Sequence, residues 1–293
     1  MSSSRGARGR GVRQSDELSS WVGRSEVRAD SIRARQVAAW NATLDRDEPS
    51  PRDGDPVPPG FHWTLFAPTS PQSQLGEDGH PKRGGFLPPV QLPRRMWAGS
   101  RLRFGESLRV GEDVQQDSVI ERIEEKRGRA GALVFVTVRR TVTGPGGVAV
   151  EEEQSLVYRG PQERAAPERQ PEPAPPSAWH RTIVADDVLL FRFSALTFNG
   201  HRIHYDRRYA TEEEGYPGLV VHGPLLATLL LDLLRRNLPA AAPDGFSFKA
   251  LRPTYDVSPF SLEGQPDEDG RRVRLWSTDN RGEVAIEAEA LLR

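Results

Sequence analysis

The sequence predicts an α+β fold made of two similar halves, each an antiparallel sheet curled around one helix. Three observations predict it. Two groups of alternating, Val/Ile/Phe-rich segments, at residues 101–159 and 246–291, are punctuated by glycines in the manner of antiparallel meanders. Between them lies the most apolar helical run of the chain, Pro224 to Arg236, with leucines on nearly every side, which requires burial on most faces. The two groups also end alike. R-R-T-V-T-G-P-G-G-V-A-V-E-E-E-Q-S-L-V-Y-R before residue 160 parallels L-W-S-T-D-N-R-G-E-V-A-I-E-A-E-A-L-L-R at the C-terminus, each a strand, a glycine turn and a strand with alternating Glu. A sheet wrapped on a central helix is a hot dog; two in one chain make a double hot dog.

The elements follow in order. Residues 1–15 are Gly/Ser/Arg-rich and free of acids, which predicts a disordered tail. From Asp16 to Asp47 the spacing of Val37, Ala38, Trp40 and Leu44 predicts helix. Residues 48–100 are rich in Pro and Gly without periodicity, so they wrap the surface or serve function. Within them, G-G-F-L-P-P-V-Q-L-P-R-R-M-W-A-G reads as an ordered loop anchored by Phe86, Leu87, Met96 and Trp97. Strands are expected at Arg101–Val110, Val114–Lys126, Ala132–Thr141 and Val148–Arg159. Residues 160–178 form a Pro/Ala/Glu linker between an N-terminal unit, 16–159, and a C-terminal unit, 179–293. Further strands are expected at Phe246–Val257, Phe260–Gln265, Arg271–Thr278 and Glu283–Leu291. The helix of Pro224–Arg236 spans about 20 Å at 1.5 Å per residue, too short to cross a bilayer.

Net charge is −1, from 40 basic and 41 acidic residues, which points to neither nucleic acid nor a membrane surface. The absence of cysteine excludes disulfides, thiolate metal sites and a cysteine nucleophile. No apolar run reaches transmembrane length and the N-terminus lacks a signal-peptide core, so a cytoplasmic protein is expected.

Three of the six histidines, His201, His204 and His222, fall in one stretch around the apolar helix. His222-Gly223 immediately precedes Pro224, so the free N–H groups and positive dipole end of that helix face a histidine-bearing loop, a place to stabilise an oxyanion. The segment S-A-L-T-F-N-G-H-R-I-H-Y-D, followed by H-G-P-L-L-A, resembles the hydratase-2 motif of MaoC-like enoyl-CoA hydratases and 3-hydroxyacyl dehydratases. In that family an Asp and a His stand five positions apart, and a later His-Gly opens the central helix. Here His204 takes the place of the His, Asn199 that of the Asp, and His222-Gly223 that of the His-Gly. His201 and Arg202 stand where the family usually has Asn and Pro. These departures, with Y-P-G-L-V-V-H-G-P and G-F-L-P-P-V-Q-L-P-R-R-M-W-A-G, are similar to the double-hot-dog branch that includes mesaconyl-CoA and itaconyl-CoA hydratases and mitochondrial 3-hydroxyacyl-thioester dehydratases. The resemblance implies reversible hydration of an α,β-unsaturated acyl-CoA thioester, without metal or redox cofactor.

Hydration of a conjugated thioester needs a base for water, a donor for Cα and a stabiliser for the thioester oxygen. His204 is the candidate proton carrier, because imidazole titrates near neutrality. Asn199 cannot titrate and can only hold water or substrate, so His204 would pass one proton from water to Cα in a syn addition. The Gly223 N–H is the candidate oxyanion donor. His201 and His222 read equally as structural residues or as site residues, His222 in substrate binding. Arg202 could meet a substrate carboxylate or form a surface salt bridge; Tyr216, Arg94 and Arg95 are further substrate-binding candidates, the two arginines toward coenzyme A phosphates. Asp206, Arg207 and Arg208 read as a solvated or capping group. With no carboxylate set beside His201 and His204, no metal site is expected. The N-terminal unit, lacking an equivalent Asn/His spacing, would complete the substrate tunnel. A hot-dog thioesterase and a non-catalytic acyl-thioester binding module are the alternatives. A homodimer is the expected assembly, although two units in one chain could suffice as a monomer.

Overall fold

Ten strands form one antiparallel sheet in this computed structural model, which describes residues 17–128, 131–160 and 175–293. The expected N-terminal tail and most of the linker lie outside the described residues. In chain order the strands are β1 (Ser25–Ser31), β2 (Arg94–Phe104), β3 (Asp113–Gly128), β4 (Gly131–Gly144), β5 (Gly147–Arg159), β6 (Trp179–Ile183), β7 (Pro243–Ala250), β8 (Phe260–Pro266), β9 (Arg272–Thr278) and β10 (Val284–Leu292). The α-helices that lie wholly within the described residues are α1 (Ala34–Thr43), α2 (Asp187–Thr197) and α3 (Gly223–Asn237).

The strand order, β1-β3-β4-β5-β2-β7-β10-β9-β8-β6, is symmetric about its middle. Each half starts at an outer edge, runs through a three-strand meander, and places its second strand at the seam where β2 pairs β7. The repeat between the two ends of the chain therefore maps onto the β4–β5 and β9–β10 hairpins. At the seam, Gly99 has no room for a side chain: a Cβ there would lie 2.3 Å from the Phe248 carbonyl oxygen. The register shift between Trp97 and Gly99 bulges β2 at the same point.

α3 is the wrapped helix. Every residue from Leu225 to Leu234 is buried, and the helix packs on β6, β8, β9 and β10. Each fully buried leucine is worth roughly 1.5–3 kcal/mol. The α+β double hot dog expected from the sequence is the fold found.

Several elements differ from expectation. The helical reading of Asp16–Asp47 is corrected in part: residues 17–19 are helical and Ala34–Thr43 is α1, but S-E-V-R-A-D-S between them forms β1, paired with β3 from Ser25–Val119 to Ser31–Asp113. The cross-strand partner on β3, including Asp113, which accepts the Ser31 hydroxyl at 2.6 Å, decides that segment rather than its own spacing. The expected strand Arg101–Val110 begins earlier, at Arg94, so Met96 and Trp97 lie in β2 rather than in a loop, while Phe86 and Leu87 do anchor the preceding loop against a second apolar cluster. β6 and α2 are additional. α2 opens at Asp186, whose side chain accepts the Leu189 N–H at 2.8 Å, and closes at Phe198, a non-glycine residue with φ of 49°.

Candidate active site

The 198–205 loop hangs from the end of α2. The Asn199 N–H donates to the Ser194 carbonyl at 2.8 Å, and the Asn199 side-chain oxygen accepts the His201 N–H at 3.0 Å. One helical turn, Arg202–His204, follows, and the Val220 N–H closes it by donating to the Ile203 carbonyl at 3.0 Å. His204 is thereby held with Nδ1 2.7 Å from the Val220 carbonyl oxygen. A carbonyl only accepts, so Nδ1 carries the proton and Nε2 the lone pair. Burial pushes the His204 imidazolium down to about 4, against the opposing pull of that carbonyl. His204 is a neutral base.

His222 is the residue just before α3. Its ring does not cap the helix; Nε2 lies 2.8 Å from the Ser194 hydroxyl, and the ring stacks on His204 at 3.7 Å between centroids, 19° from parallel. Fully buried, and beside His204 and His201, it is held neutral well below the usual imidazole range. Gly223 rather than Pro224 is the first helical residue. Its N–H has no intrahelical acceptor, and Pro224 contributes no donor, so Gly223 presents the outermost free N–H of the helix. There is room beside it for a methyl but little more: the nearest atom to a Cβ there is the Trp97 carbonyl oxygen at 3.9 Å.

The structure adds two residues that spacing did not single out. The 48–93 stretch carries Asp78 and His80 from the first half onto the 198–205 loop. Gly79 sits against Gly200 so closely that a Cβ would fall 1.8 Å from its carbonyl oxygen, and the Arg202 N–H donates to the Asp78 carbonyl at 2.9 Å. The His80 ring lies 4.0 Å from that of His201, and His80 Nδ1 lies 2.9 Å from Asp78 Oδ2. Burial lowers His80 while Asp78 opposes the shift; burial, then His80 and His204, force His201 far below the ordinary imidazole value. Burial would raise Asp78, but its bonds from His80 hold it well below the usual carboxylate range. The carboxylate whose absence argued against a metal is thus present. Asp78, His80 and His201 offer ligand atoms within 4.8 Å of one another, a set that could hold a cation. The D-G-H turn at 78–80 was the sequence signal, hidden in an otherwise featureless Pro/Gly stretch.

The remaining candidates disperse. The Arg202 guanidinium binds Asp206 at 3.0 and 2.7 Å and the Glu77 carbonyl at 3.1 Å, straddling Tyr209. Asp206 also caps the next turn, accepting from the Tyr209 N–H at 3.1 Å, while Arg207 pairs Asp256 at 2.6 Å and Arg208 pairs Glu212 at 2.9 Å. Arg94 is committed to Glu214, at 3.0 Å to the carboxylate, above the Tyr216 ring. Arg95 has no ion-pair partner among the described residues; it faces Tyr158 and lies near enough to His80 and His201 to influence both. No hydrogen bond joins Asn199 to His204 among the described residues. A separate cavity lined by Val57, Gly60, His62, Phe104, Glu106 and Arg293 shares none of these side chains.

Comparison with known proteins shows the family. Residues 60–256 match the family model described as hydroxyacyl-thioester dehydratase type 2. The mesaconyl-C(4)-CoA hydratase of Chloroflexus aurantiacus is 48% identical over 272 residues, covering 92% of this chain and 95% of the relative. The mitochondrial hydroxyacyl-thioester dehydratase type 2 of Schizosaccharomyces pombe is 30% identical over 230 residues, 70% of this chain and 76% of the relative. Among solved structures, a MaoC-like dehydratase superposes with a TM-score of 0.69 at 15% identity, covering 94% of this chain and 99% of its own. A Mycobacterium tuberculosis protein described as a double hot dog gives 0.56 at 14% identity, covering 93% and 96%. At such identity these two structures speak for the fold alone.

Proposed function

The chain belongs to the hydroxyacyl-thioester dehydratase type 2 family, and from that premise we propose that it hydrates, and reversibly dehydrates, an acyl-CoA thioester at the site around His204. The observation that carries this reading is the pairing of a neutral imidazole, its lone pair fixed at Nε2, with the free N-terminus of α3. His204 draws the proton from water at Nε2 as the oxygen bonds to Cβ, and delivers it to Cα as the C=C electron pair moves there, so each turnover consumes one water and leaves the ring as it began. The Gly223 N–H receives the negative charge that grows on the thioester oxygen. Asn199, its oxygen already bonded to the His201 amide, offers its amide N–H groups to water or substrate. These steps use only side chains and backbone of this protein. The first unit supplies a wall of the substrate tunnel, through the 48–93 stretch and Trp97.

The acyl group is a dicarboxylic one such as mesaconyl. The 48% identity to a mesaconyl-C(4)-CoA hydratase supports this, as does the availability of one arginine. Arg94 and Arg202 are occupied by Glu214 and Asp206, which leaves Arg95 to meet a second carboxylate near the histidines. Incubation with crotonyl-CoA and mesaconyl-CoA tests the reading. Loss of the conjugated-enoyl absorbance with the thioester intact is expected. Release of free thiol would mark a thioesterase, and no reaction a binding module.

A further inference from the structure

Two loops from opposite halves of the chain bring two imidazoles and a carboxylate to one point. Asp78, His80 and His201 offer ligand atoms that all lie within 4.8 Å of one another, and no other group of three such side chains meets among the described residues. The other His–carboxylate contacts, His62–Glu152 and His180–Glu263, are pairs without a third ligand. Within the set, Asp78 Oδ1 accepts the His80 N–H at 3.0 Å, which leaves Oδ2 facing His80 Nδ1 at 2.9 Å. His201 stands beside His80, with 4.0 Å between ring centroids and 39° between planes. The His201 ring is half-buried, yet neither of its nitrogens has a hydrogen-bond partner among the described residues; its bonds, to Asn199 and His204, are made by its backbone. Burial holds both imidazoles below their ordinary value, and a neutral imidazole is the form that offers a lone pair to a metal. Both loops are fixed beside the set: Gly79 abuts Gly200, and Arg202 donates its N–H to the Asp78 carbonyl at 2.9 Å and Nη1 to the Glu77 carbonyl at 3.1 Å.

We propose that Asp78, His80 and His201 form a binding site for a divalent transition-metal ion of the zinc class, a clamp between the two halves of the chain. The donor set decides the class: imidazole nitrogen suits Zn²⁺ and its neighbours, whereas Mg²⁺ and Ca²⁺ take oxygen. The ion replaces the proton between Asp78 Oδ2 and His80 Nδ1, which leaves to solvent, and one His201 nitrogen supplies the third bond. A tetrahedral ion with bonds of about 2.0–2.2 Å keeps its ligand atoms roughly 3.3 Å apart. The set therefore closes by side-chain rotation while Gly79 and Gly200 stay in contact. Water fills the fourth position. Arg95 and Arg83 oppose a cation at His80, but Arg83 is spent on the Val90 and Pro93 carbonyls, and the Asp78 charge lies inside the set. The ion ties the long irregular stretch of the first half to the loop that carries His204. It stands apart from the proton chemistry, so the proposal holds whether or not the chain hydrates an enoyl thioester.

The test uses the full chain without an affinity tag, stripped with a chelator and titrated with Zn²⁺ by calorimetry. One ion per chain is expected, with the melting temperature raised by about 5 °C when Zn²⁺ stands roughly a hundredfold above Kd. Co²⁺ in place of Zn²⁺ reads the geometry. Intense visible absorption marks a low-coordinate ion on nitrogen and oxygen, and weak absorption an octahedral ion held mainly by water. Asp78→Asn, and separately His201→Asn, should weaken Zn²⁺ by more than about 10²-fold, the most that losing an outer-shell partner costs, and should abolish the intense Co²⁺ spectrum. His180→Asn, at the exposed pair with Glu263, should leave the affinity unchanged. Wild-type affinity in Asp78→Asn and His201→Asn overturns the proposal. A wild type that binds no Zn²⁺, or gives only the weak Co²⁺ spectrum, overturns it even where a variant fails to fold.

Discussion

His204 donates Nδ1–H to the Val220 carbonyl, and that single bond leaves Nε2 as the nitrogen with a free lone pair. A base acts only when unprotonated. With the imidazolium pushed down to about 4, the acid limb of kcat/KM is expected near pH 4 rather than near the ordinary histidine value of about 6.5; a limb near 6.5 would place the base elsewhere. His204→Ala should lower kcat by about 10²–10⁴-fold, the usual worth of a positioned proton carrier, read as the rate of enoyl absorbance loss. Arg95→Gln should raise KM for mesaconyl-CoA by about tenfold, the lower end of what a charge-assisted hydrogen bond supplies, and leave crotonyl-CoA nearly unchanged. Equal effects on both would move Arg95 to the coenzyme A end. At this scale, His204, His222 and Gly223 were legible because they lie within one stretch of chain. Asp78 and His80 were not, since what brings them to His201 is a backbone contact between two glycines on distant loops, which no periodicity records.

The N-terminus of α3 is the element on which the proposed site depends. Its leucines fix the helix inside the sheet, and its second residue, Pro224, leaves Gly223 as the outermost donor. Gly223→Ala should fold normally, because the nearest neighbour of the added methyl is 3.9 Å away. The methyl would occupy the approach to the N–H, so kcat should drop on the order of 10²-fold, comparable to removing an oxyanion donor. Unchanged melting together with unchanged kcat would dismiss the oxyanion role. Element by element, the long strands of both meanders and α3 could be read from alternation and from all-round apolarity. β1 and β6 could not. Each is short, and each owes its extended form to a partner strand, β3 or β8, rather than to its own pattern. α2 escaped notice for a related reason: Val188 and Phe191 are exposed while Leu190 and Phe193 are buried, so its apolar residues mark no single face.

Across the molecule, one buried carboxylate ties the two units together. Asp232 on α3 accepts from Arg46 and Arg181 at 2.8 Å and from Arg236 at 2.7 Å, so the segment after α1, the strand β6 and the central helix meet at one charge. Removing one partner of a buried ion pair costs about 3–5 kcal/mol; Asp232→Ala should therefore lower the denaturation midpoint by that equivalent, measured by chemical unfolding. The buried histidines set a second property of the whole. In the folded chain His204 resists protonation until about pH 4, whereas the unfolded chain takes up the proton as pH falls below about 6.5. Its contribution to stability is complete above that window and is lost through it on acidification. A His204→Asn variant should show a flatter decline in melting temperature from pH 7 to pH 5 than the wild type.

The seam between β2 and β7 has one more consequence. Two hot dogs on separate chains must find each other in solution, and dilution parts them. Here the mating strands, from Gly99–Lys249 to Arg103–Gly245, belong to one polypeptide, so their encounter is unimolecular. Turnover per chain should stay level however thin the solution becomes.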